Sequence, residues 1–189
     1  MMRFEPTGIS GAWMVELPRF RDDRGWFQEW FKLSRYAQEI GVDFRPVQAN
    51  ISKSCAGTVR GIHYSIAPKG QGKLVTVMSG AIDDYIVDVR RGSPTFGQWR
   101  RVRLEESSAR AVLIDPHLGH AFQALTDDTV VSYLVTEEYN PAAELGINPL
   151  CTDLAISWSV ELPLLVSEKD SVAPTLSGAS TSGELPVFQ

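Results

Sequence analysis

Three histidines occur in the chain, and two of them, His63 and His120, lie in segments that could carry acid–base chemistry. An imidazole titrates near neutrality, so it can take up a proton at physiological pH, above all where a carboxylate fixes its tautomer. The acidic candidate is Asp170, which stands far along the chain and could reach His63 only through the fold. A histidine can equally be a structural residue with satisfied hydrogen bonds, and these residues alone leave both interpretations open.

The turn at residues 116–120 has the pattern Pro-x-x-Gly-His and lies between two predicted strands. It resembles the second motif of the cupin superfamily, small jelly rolls whose open mouth holds a site. The first motif of that superfamily normally supplies two histidines and a glutamate, which bind a divalent metal. Here Ser65 stands two residues after His63 and no glutamate follows nearby, so the converging ligands that a metal requires are lacking. We therefore predict a cupin without metal.

The segments that must position these residues predict an all-β fold. Short stretches rich in branched and aromatic side chains, bounded by glycine, proline or acidic turns, indicate strands. Their regular spacing favours an antiparallel sandwich or barrel. One helix is predicted at residues 34–40, and strands are predicted at residues 74–78, 82–89, 102–104, 111–114 and 130–135.

Strand alternation assigns some side chains to faces. Tyr133 shares a face with two aliphatic side chains, as an inward-pointing residue would. Asp84 and Asp88 flank Ile86 on one face of the strand predicted at residues 82–89. Alternation alone leaves open whether these two carboxylates meet solvent or line a polar cavity.

The composition is that of an ordinary soluble globular protein. It is 43% apolar and 22% charged, and 18 basic against 23 acidic side chains give a net charge of −5. These values exclude disorder and rod-like folds, and no apolar run is long enough for a membrane helix. The negative balance argues against a nucleic-acid partner but permits an anionic small molecule where a few cations converge. Cys55 and Cys151 are far apart and predict neither a disulfide framework nor a zinc site.

The 189 residues suit one domain, which we predict over residues 1–176. The small polar run at residues 177–183 predicts that residues 177–189 form a flexible tail. The first residues lack the apolar core of a signal peptide, so the expected compartment is the cytoplasm.

Six short motifs occur along the chain in a characteristic order and spacing. They are DRGWFQE (residues 23–29), QAN (48–50), RGIHY (60–64), QGKLV (71–75), DVRRGSPTFGQW (88–99) and LLVSEKD (164–170). Together they resemble the dTDP-4-dehydrorhamnose 3,5-epimerase family over residues 4–176. The resemblance implies a metal-free cupin-type jelly roll, usually a homodimer, that needs no cofactor. It also implies the substrate, a 4-keto-6-deoxyhexose carried on thymidine diphosphate, which is epimerised at carbons 3 and 5.

The resemblance implies a role for each catalytic candidate. The ketone at carbon 4 acidifies the hydrogens on carbons 3 and 5, so removing one gives an enolate, and returning a proton from the opposite face inverts the centre. His63 is implied as the base, Asp170 as its orienting partner and Tyr133 as the acid on the other face. Lys73, with Arg60 as a second candidate, would stabilise the negative charge on the ketone oxygen.

The family also implies a substrate-binding set. The planar fork of arginine suits phosphate oxygens. Tyr139 could stack on thymine or could be a surface loop residue. The implied binding residues are Arg24, Glu29, Gln48, Asn50, Arg60, Lys73, His120, Tyr139, Glu144 and Lys169.

Departures from the common family pattern leave alternatives open. Ser65 replaces the usual glutamine, and residues 118–122 read LGHAF. Both changes resemble the branch that makes unusual antibiotic sugars, in which some members invert carbon 3 alone. A 3,4-ketoisomerase on the same fold and a non-catalytic dTDP-sugar binding protein are further alternatives. A metal-dependent cupin oxygenase is the least favoured.

Overall fold

The computed structural model describes residues 2–159 and 163–188. Strands dominate this part of the chain, which confirms the all-β prediction. The strands are β1 (Arg3–Pro6), β2 (Ala12–Glu16), β3 (Arg19–Asp22), β4 (Gly25–Gln28), β5 (Gln48–Ser54), β6 (Thr58–Ser65), β7 (Lys73–Ser79), β8 (Ala81–Val87), β9 (Trp99–Glu105), β10 (Arg110–Ile114), β11 (Gly119–Ala124), β12 (Thr129–Val135), β13 (Glu144–Gly146) and β14 (Leu165–Val166). The helices are α1 (Leu33–Ile40), α2 (Glu168–Ser171) and α3 (Leu176–Ser182), with one 3-10 turn at Glu106–Ser108.

The five strands and the helix predicted from the sequence are all present, with small differences at their ends. Helix α1 ends at Gly41, whose left-handed φ of 70° forms the C-cap. Cys55 and Cys151 are both free, as their spacing predicted. None of the helices in the described ranges is long and apolar enough to cross a membrane.

Two sheets pack face to face. The first sheet has the strand order β1-β2-β10-β7-β12-β5, and all of its pairings are antiparallel. The second sheet has the order β13-β6-β11-β8-β9, and β14 joins it parallel to β6. Strands β3 and β4 form a separate two-stranded hairpin that pairs with neither sheet. The result is a sandwich with an additional exposed hairpin.

The main core lies between the inner faces of the two sheets. Val75 and Val77 from β7 meet Ile82 and Ile86 from β8, together with Phe122 from β11. In β7, therefore, the odd-numbered residues point inward, because successive side chains of a strand alternate between faces. The same alternation sends Leu74 outward, into a different cluster. Whether a side chain of a strand faces the interior thus depends on its parity, that is, on its odd or even position along that strand.

Each outer face is covered by non-strand segments. Tyr36 of α1 and Phe44 of the following loop pack on Leu74 and Leu113 of the first sheet. The outer face of the second sheet is covered by residues 147–158 and 176–185, the latter including α3. Both sheets are therefore buried on their two faces over much of their width.

The C-terminal segment differs from the expected flexible tail. Leu176 and Ala179 of α3 and the following Leu185 are buried in the cluster on the second sheet. The Oγ1 of Thr175 accepts the N–H of Gly178 as an N-cap, and Gly183 has the left-handed conformation of a C-cap. Composition suggested flexibility, whereas the two caps and the burial of Leu176 and Ala179 stabilise a helix. The structure therefore corrects the prediction for residues 177–188; Gln189 lies outside the described residues.

The turn after β8 contains the longest of the six motifs and is structural. Asp88 is fully buried and accepts hydrogen bonds from Arg90, Ser93 and Thr95. Burial alone would raise the pKa of Asp88, but these hydrogen bonds outweigh it and lower the pKa to about 2. The guanidinium of Arg90 also lies over the ring of Phe188, 4.8 Å from its centroid. The motif thus ties the end of β8 to the C-terminal segment and does not line a cavity.

Candidate active site

A cavity of about 620 Å³ lies between the inner faces of the two sheets. Its walls come from β5, β7 and β12 of the first sheet and from β6, β11, β13 and β14 of the second. Most side chains that the sequence indicated as site residues meet here. Those that line the cavity are Gln48, Asn50, Arg60, His63, Lys73, His120, Tyr133, Tyr139, Glu144, Lys169 and Asp170.

Strand parity and register explain why these side chains converge. Lys73 lies two residues before the core residue Val75 and so shares its inward face. Tyr133 pairs with Val75 on one side and with Asn50 on the other, as neighbours across three adjacent strands. On the opposite sheet, the register of β11 with β6 places His120 directly beside His63. The inward orientation predicted for Tyr133 is confirmed.

His63 and Asp170 form a direct pair, although they are distant in sequence. The Nε2 of His63 lies 2.7 Å from Oδ1 of Asp170. The other carboxylate oxygen accepts the N–H of Gly61, and the N–H of Asp170 donates to Ser167 Oγ at the start of α2. Burial would raise the pKa of Asp170, but the hydrogen bonds, first of all that from His63, outweigh it and lower the pKa. Asp170 is therefore held as a carboxylate.

The ionised carboxylate fixes the tautomer of His63. A carboxylate can only accept hydrogen bonds, so Nε2 must carry the proton that it shares with Asp170. This leaves Nδ1 as the unprotonated nitrogen, with a lone pair that can act as a base. The side chain of His63 is 40% exposed, so a proton taken up on it can exchange with solvent.

Tyr133 lies on the wall opposite His63, since β12 belongs to the first sheet and β6 to the second. Burial raises the pKa of Tyr133, an effect that Glu144 reinforces and that the charge of Arg60 opposes. The phenol is therefore protonated at neutral pH and can donate. An imidazole base and a phenol acid thus flank one cavity from its two sides.

Lys73 supplies a buried positive charge on the same wall as Tyr133. Its side chain is largely buried, and its Nζ donates to the side-chain and main-chain oxygens of Gln71 at 2.7 and 3.4 Å. Burial lowers the pKa of Lys73 to about 8, although the charge of Glu144 acts in the opposite direction. A pKa of about 8 leaves the amine mostly protonated at neutral pH.

His120 is held by a second carboxylate. Its Nε2 lies 2.7 Å from Oδ2 of Asp84, which is fully buried on the inner face of β8. The sequence left open whether Asp84 meets solvent or lines a polar cavity. In the structure Asp84 contacts neither, because it lies behind His120. Finding this partner from sequence would have required the register of β8 with β11.

Arg24 and Glu29, indicated by the family resemblance as substrate-binding residues, do not line the cavity of their own chain. Arg24 lies in the β3–β4 hairpin, where its side chain is 90% exposed and pairs with Asp22 at 2.6 Å. Glu29 follows β4 and lies 4.0 Å from Lys32. The reason is that the hairpin stands apart from both sheets.

Several cavity residues were not found from the sequence. Parity offered a signal for three of them, because each lies two positions along a strand from a residue that was found: Ser52 from Asn50, Phe122 from His120 and Val131 from Tyr133. Gln71 precedes β7, so its signal was its place in the QGKLV motif beside Lys73. No comparable signal existed for Thr58, Val59, Leu145, Leu165 and Ser167, which the chain topology brings to the cavity.

The fold and the site define a class of protein. A jelly-roll cavity with an oriented imidazole on one wall, and a phenol and a buried ammonium on the other, is suited to moving protons at a carbon beside a carbonyl group. Within residues 2–159 and 163–188, no three His, Cys, Asp or Glu side chains lie together as metal ligands would.

Comparison with known proteins identifies the family. The family model described as dTDP-4-dehydrorhamnose 3,5-epimerase matches residues 6–178, and the chain belongs to this family. It is 43% identical over 187 residues to a dTDP-4-dehydrorhamnose 3-epimerase of Streptomyces niveus, covering 99% of this chain and 90% of that protein. It is 42% identical to a dTDP-4-dehydrorhamnose 3,5-epimerase of Mycolicibacterium smegmatis, covering 99% and 92%.

A solved structure agrees with the family assignment. The chain superposes with a TM-score of 0.96 and 42% identity on NovW, a 4-keto-6-deoxy sugar epimerase from the novobiocin biosynthetic gene cluster of Streptomyces spheroides. The match covers 100% of this chain and 94% of NovW. The family resemblance of the six motifs and the cupin-type jelly roll that it implied are thus confirmed.

Proposed function

We propose that the chain is an isomerase that epimerises dTDP-4-dehydro-6-deoxy-D-glucose at carbons 3 and 5. The observation that carries this proposal is the His63–Asp170 pair facing Tyr133 across one cavity. Family membership and the names of the relatives support the substrate class. The cytoplasm, expected from the sequence, remains its proposed compartment, and no nucleic-acid partner is proposed.

The reaction follows from the chemistry of the three groups. Nδ1 of His63 removes the hydrogen on carbon 3 as a proton, the electron pair of that C–H bond forms a double bond between carbons 3 and 4, and the π pair of the ketone moves to its oxygen, which gives an enolate. The hydroxyl of Tyr133 then returns a proton to the same carbon from the opposite face, which inverts the centre. His63 is left protonated and Tyr133 ionised, and exchange with solvent restores both. Carbon 5 lies on the other side of the same ketone and can react in the same way.

Lys73 is proposed to stabilise the enolate, because a preorganised cation in a water-poor cavity acts most strongly on charge that develops during the reaction. Arg60 and Lys169 line the same cavity and are proposed to bind the diphosphate, together with His120. The exposed ring of Tyr139 at the cavity is proposed to stack on thymine.

Gln48 and Asn50 form a linked pair on this wall. The Nε2 of Gln48 donates to Asn50, and its Oε1 accepts the N–H of Tyr139. We propose that they and Glu144 contact polar groups of the sugar or base, so that Gln48 also holds the loop that carries Tyr139.

Inversion of carbon 3 alone is the second candidate, since a relative at 43% identity is named a 3-epimerase. The test is to incubate the enzyme with the proposed substrate in D2O and to follow hydrogens 3 and 5 by NMR. Exchange with inversion at both carbons supports the double epimerase, and exchange at carbon 3 alone selects the monoepimerase. A product with a moved ketone indicates a 3,4-ketoisomerase. Tight binding of thymidine diphosphate without any exchange indicates a non-catalytic binding protein.

We further propose a homodimer in which the β3–β4 hairpin of one chain reaches the cavity of its partner. The hairpin exposes Phe20 and Phe27 to 60% and 68%, and their rings stack 6.4 Å apart. Exposed aromatic clusters of this kind are typical of interfaces. This arrangement would also bring Arg24 to a bound substrate. The family resemblance implies Arg24 as a substrate-binding residue, and its side chain would then lie in the partner's cavity.

Mixing two inactive variants tests this dimer. We expect a His63→Ala chain co-expressed with an Arg24→Ala chain to recover activity, because the heterodimer contains one site with an intact His63 and an intact partner hairpin. The mixed dimer has one of its two sites complete, so after separation from the parent dimers it should reach about half of the wild-type rate. The measurement is turnover of the doubly tagged mixed dimer at limiting substrate.

The control carries both substitutions in one chain. A His63→Ala chain mixed with a His63→Ala, Arg24→Ala chain should recover nothing. If the first pair forms mixed dimers yet stays as inactive as its parents, the hairpin does not act on the partner's cavity.

A further inference from the structure

The buried ammonium of Lys73 has an unusual environment. Its hydrogen-bond acceptors are both oxygens of one neutral residue, Gln71, which is itself 7% exposed. Among the described residues, no carboxylate lies within 4.0 Å of Nζ. Burying a cation without a contacting counter-ion lowers the stability of the folded state. The presence of Lys73 at this position therefore indicates a role other than stabilising the fold.

The neighbours of Gln71 fix the orientation of its amide. Nε2 of Gln71 donates to the main-chain carbonyl of Glu137 at 3.1 Å. A carbonyl can only accept and an ammonium can only donate, so the amide oxygen must face Lys73. Only an amide satisfies both neighbours, since a carboxylate could not donate to Glu137. Gln71 therefore joins the ammonium to the loop after β12, whose Tyr139 lines the same cavity.

We infer that Gln71 is a positioning residue that solvates Lys73 with a neutral oxygen and so keeps its positive charge uncompensated for the enolate. Two of the three ammonium N–H groups are occupied by Gln71, which leaves the third for the substrate oxygen. A carboxylate at this position would form an ion pair, and the attraction left for a developing oxyanion would be smaller. This inference rests on the proposed function for the identity of that oxyanion.

Other charged groups bear on the same ammonium. Glu144 of β13 is the carboxylate whose charge acts on Lys73 and favours its protonated form, while burial disfavours it. The remaining titratable groups that line the cavity are Arg60, His63, His120, Tyr133, Tyr139, Lys169 and Asp170. Because Glu144 does not contact the ammonium within ion-pair distance, Gln71 remains its direct partner.

The test is Gln71→Glu, read on Lys73 itself. Lysine labelled with 13C at Cε is titrated by NMR in the full protein, and Lys73→Met assigns the signal. We expect the pKa of Lys73 to rise by roughly one to three pH units, as it does when an opposite charge comes into contact. In D2O, exchange of the substrate's carbon 3 hydrogen should slow by at least about tenfold, less than on removal of the cation itself. The pH at which the exchange rate falls in alkaline solution should rise together with the pKa of Lys73.

Two further variants keep the outcome decisive. Asn50→Asp adds a carboxylate to the same cavity without contact to Lys73 and should raise the pKa of Lys73 less than Gln71→Glu does. Gln71→Met removes the acceptor without adding charge and should lower that pKa further, which supplies the test if Gln71→Glu does not fold.

The inference is overturned if both Gln71 variants leave the pKa of Lys73 unchanged, or if Asn50→Asp shifts it equally. It is also overturned if the pKa rises in Gln71→Glu while the exchange rate stays at the wild-type value. Absence of exchange in the wild-type enzyme would instead refute the proposed function, and the NMR titration would still decide whether Gln71 sets the charge of Lys73.

Discussion

His63→Ala should slow hydrogen exchange at carbon 3 of the proposed substrate by a factor of about 10² to 10⁴, the usual contribution of a positioned general base. The variant removes the imidazole whose tautomer is set by Asp170 and which faces Tyr133 across the cavity. Binding of thymidine diphosphate should change little, because the proposed diphosphate ligands Arg60 and Lys169 stay in place. The measurement is the exchange rate in D2O at saturating substrate, together with calorimetric binding of thymidine diphosphate.

His117 provides a matched control. It is the third histidine of the chain, lies in the turn before β11 and does not line the cavity. His117→Ala should therefore exchange at close to the wild-type rate. Full activity in His63→Ala would reassign the base, and an equal loss in both variants would point to a general disturbance of the fold.

Lys73→Met should reduce turnover by a factor of about 10² to 10³, which corresponds to about 3 kcal/mol of barrier for one lost electrostatic donor. Methionine preserves much of the length and volume of the side chain, so the cavity wall should keep its shape. Lys169→Met is the matched control, because Lys169 is an exposed cavity cation that is proposed to contact the diphosphate. That variant should raise KM and leave turnover largely intact.

Lys73→Met should also make the protein more stable, which separates a functional from a structural role. The folded-state pKa of about 8 is below the ordinary 10.5, so the unfolded chain binds more protons between these values. The contribution of Lys73 to stability should therefore rise as the pH increases from 8 toward 10.5, by a total of order 3 kcal/mol, and it is read as the difference between wild type and variant. The variant should lack this rise and have a higher Tm at pH 7. A lower Tm at pH 7 would indicate that the ammonium stabilises the fold.

The sequence was sufficient for the fold class and for the faces of individual strands. Branched and aromatic runs predict strands because such side chains fit a half-buried pleated surface, and the period of two turned Tyr133 inward. These are local properties, which a single strand determines without knowledge of its neighbours.

Contacts between distant elements could not be obtained in this way. The pairs His63–Asp170 and His120–Asp84 depend on which strands become neighbours and in which register. The family resemblance implied the first pair and did not indicate the second. Helix α3 was missed because two caps and the burial of Leu176 and Ala179 against the second sheet, and not its composition, stabilise it.

In the proposed mechanism, His63 and Tyr133 act on opposite faces of one sugar ring. The most direct measurement is to incubate Tyr133→Phe with dTDP-4-dehydro-6-deoxy-D-glucose in D2O and to analyse the recovered sugar by NMR. His63 should still remove the proton, exchange it with solvent and return deuterium to the same face. We therefore expect substrate that carries deuterium at carbon 3 with unchanged configuration, and little inverted product. Inverted product formed at the wild-type rate, or recovered substrate without deuterium, would contradict the assignment of the two groups.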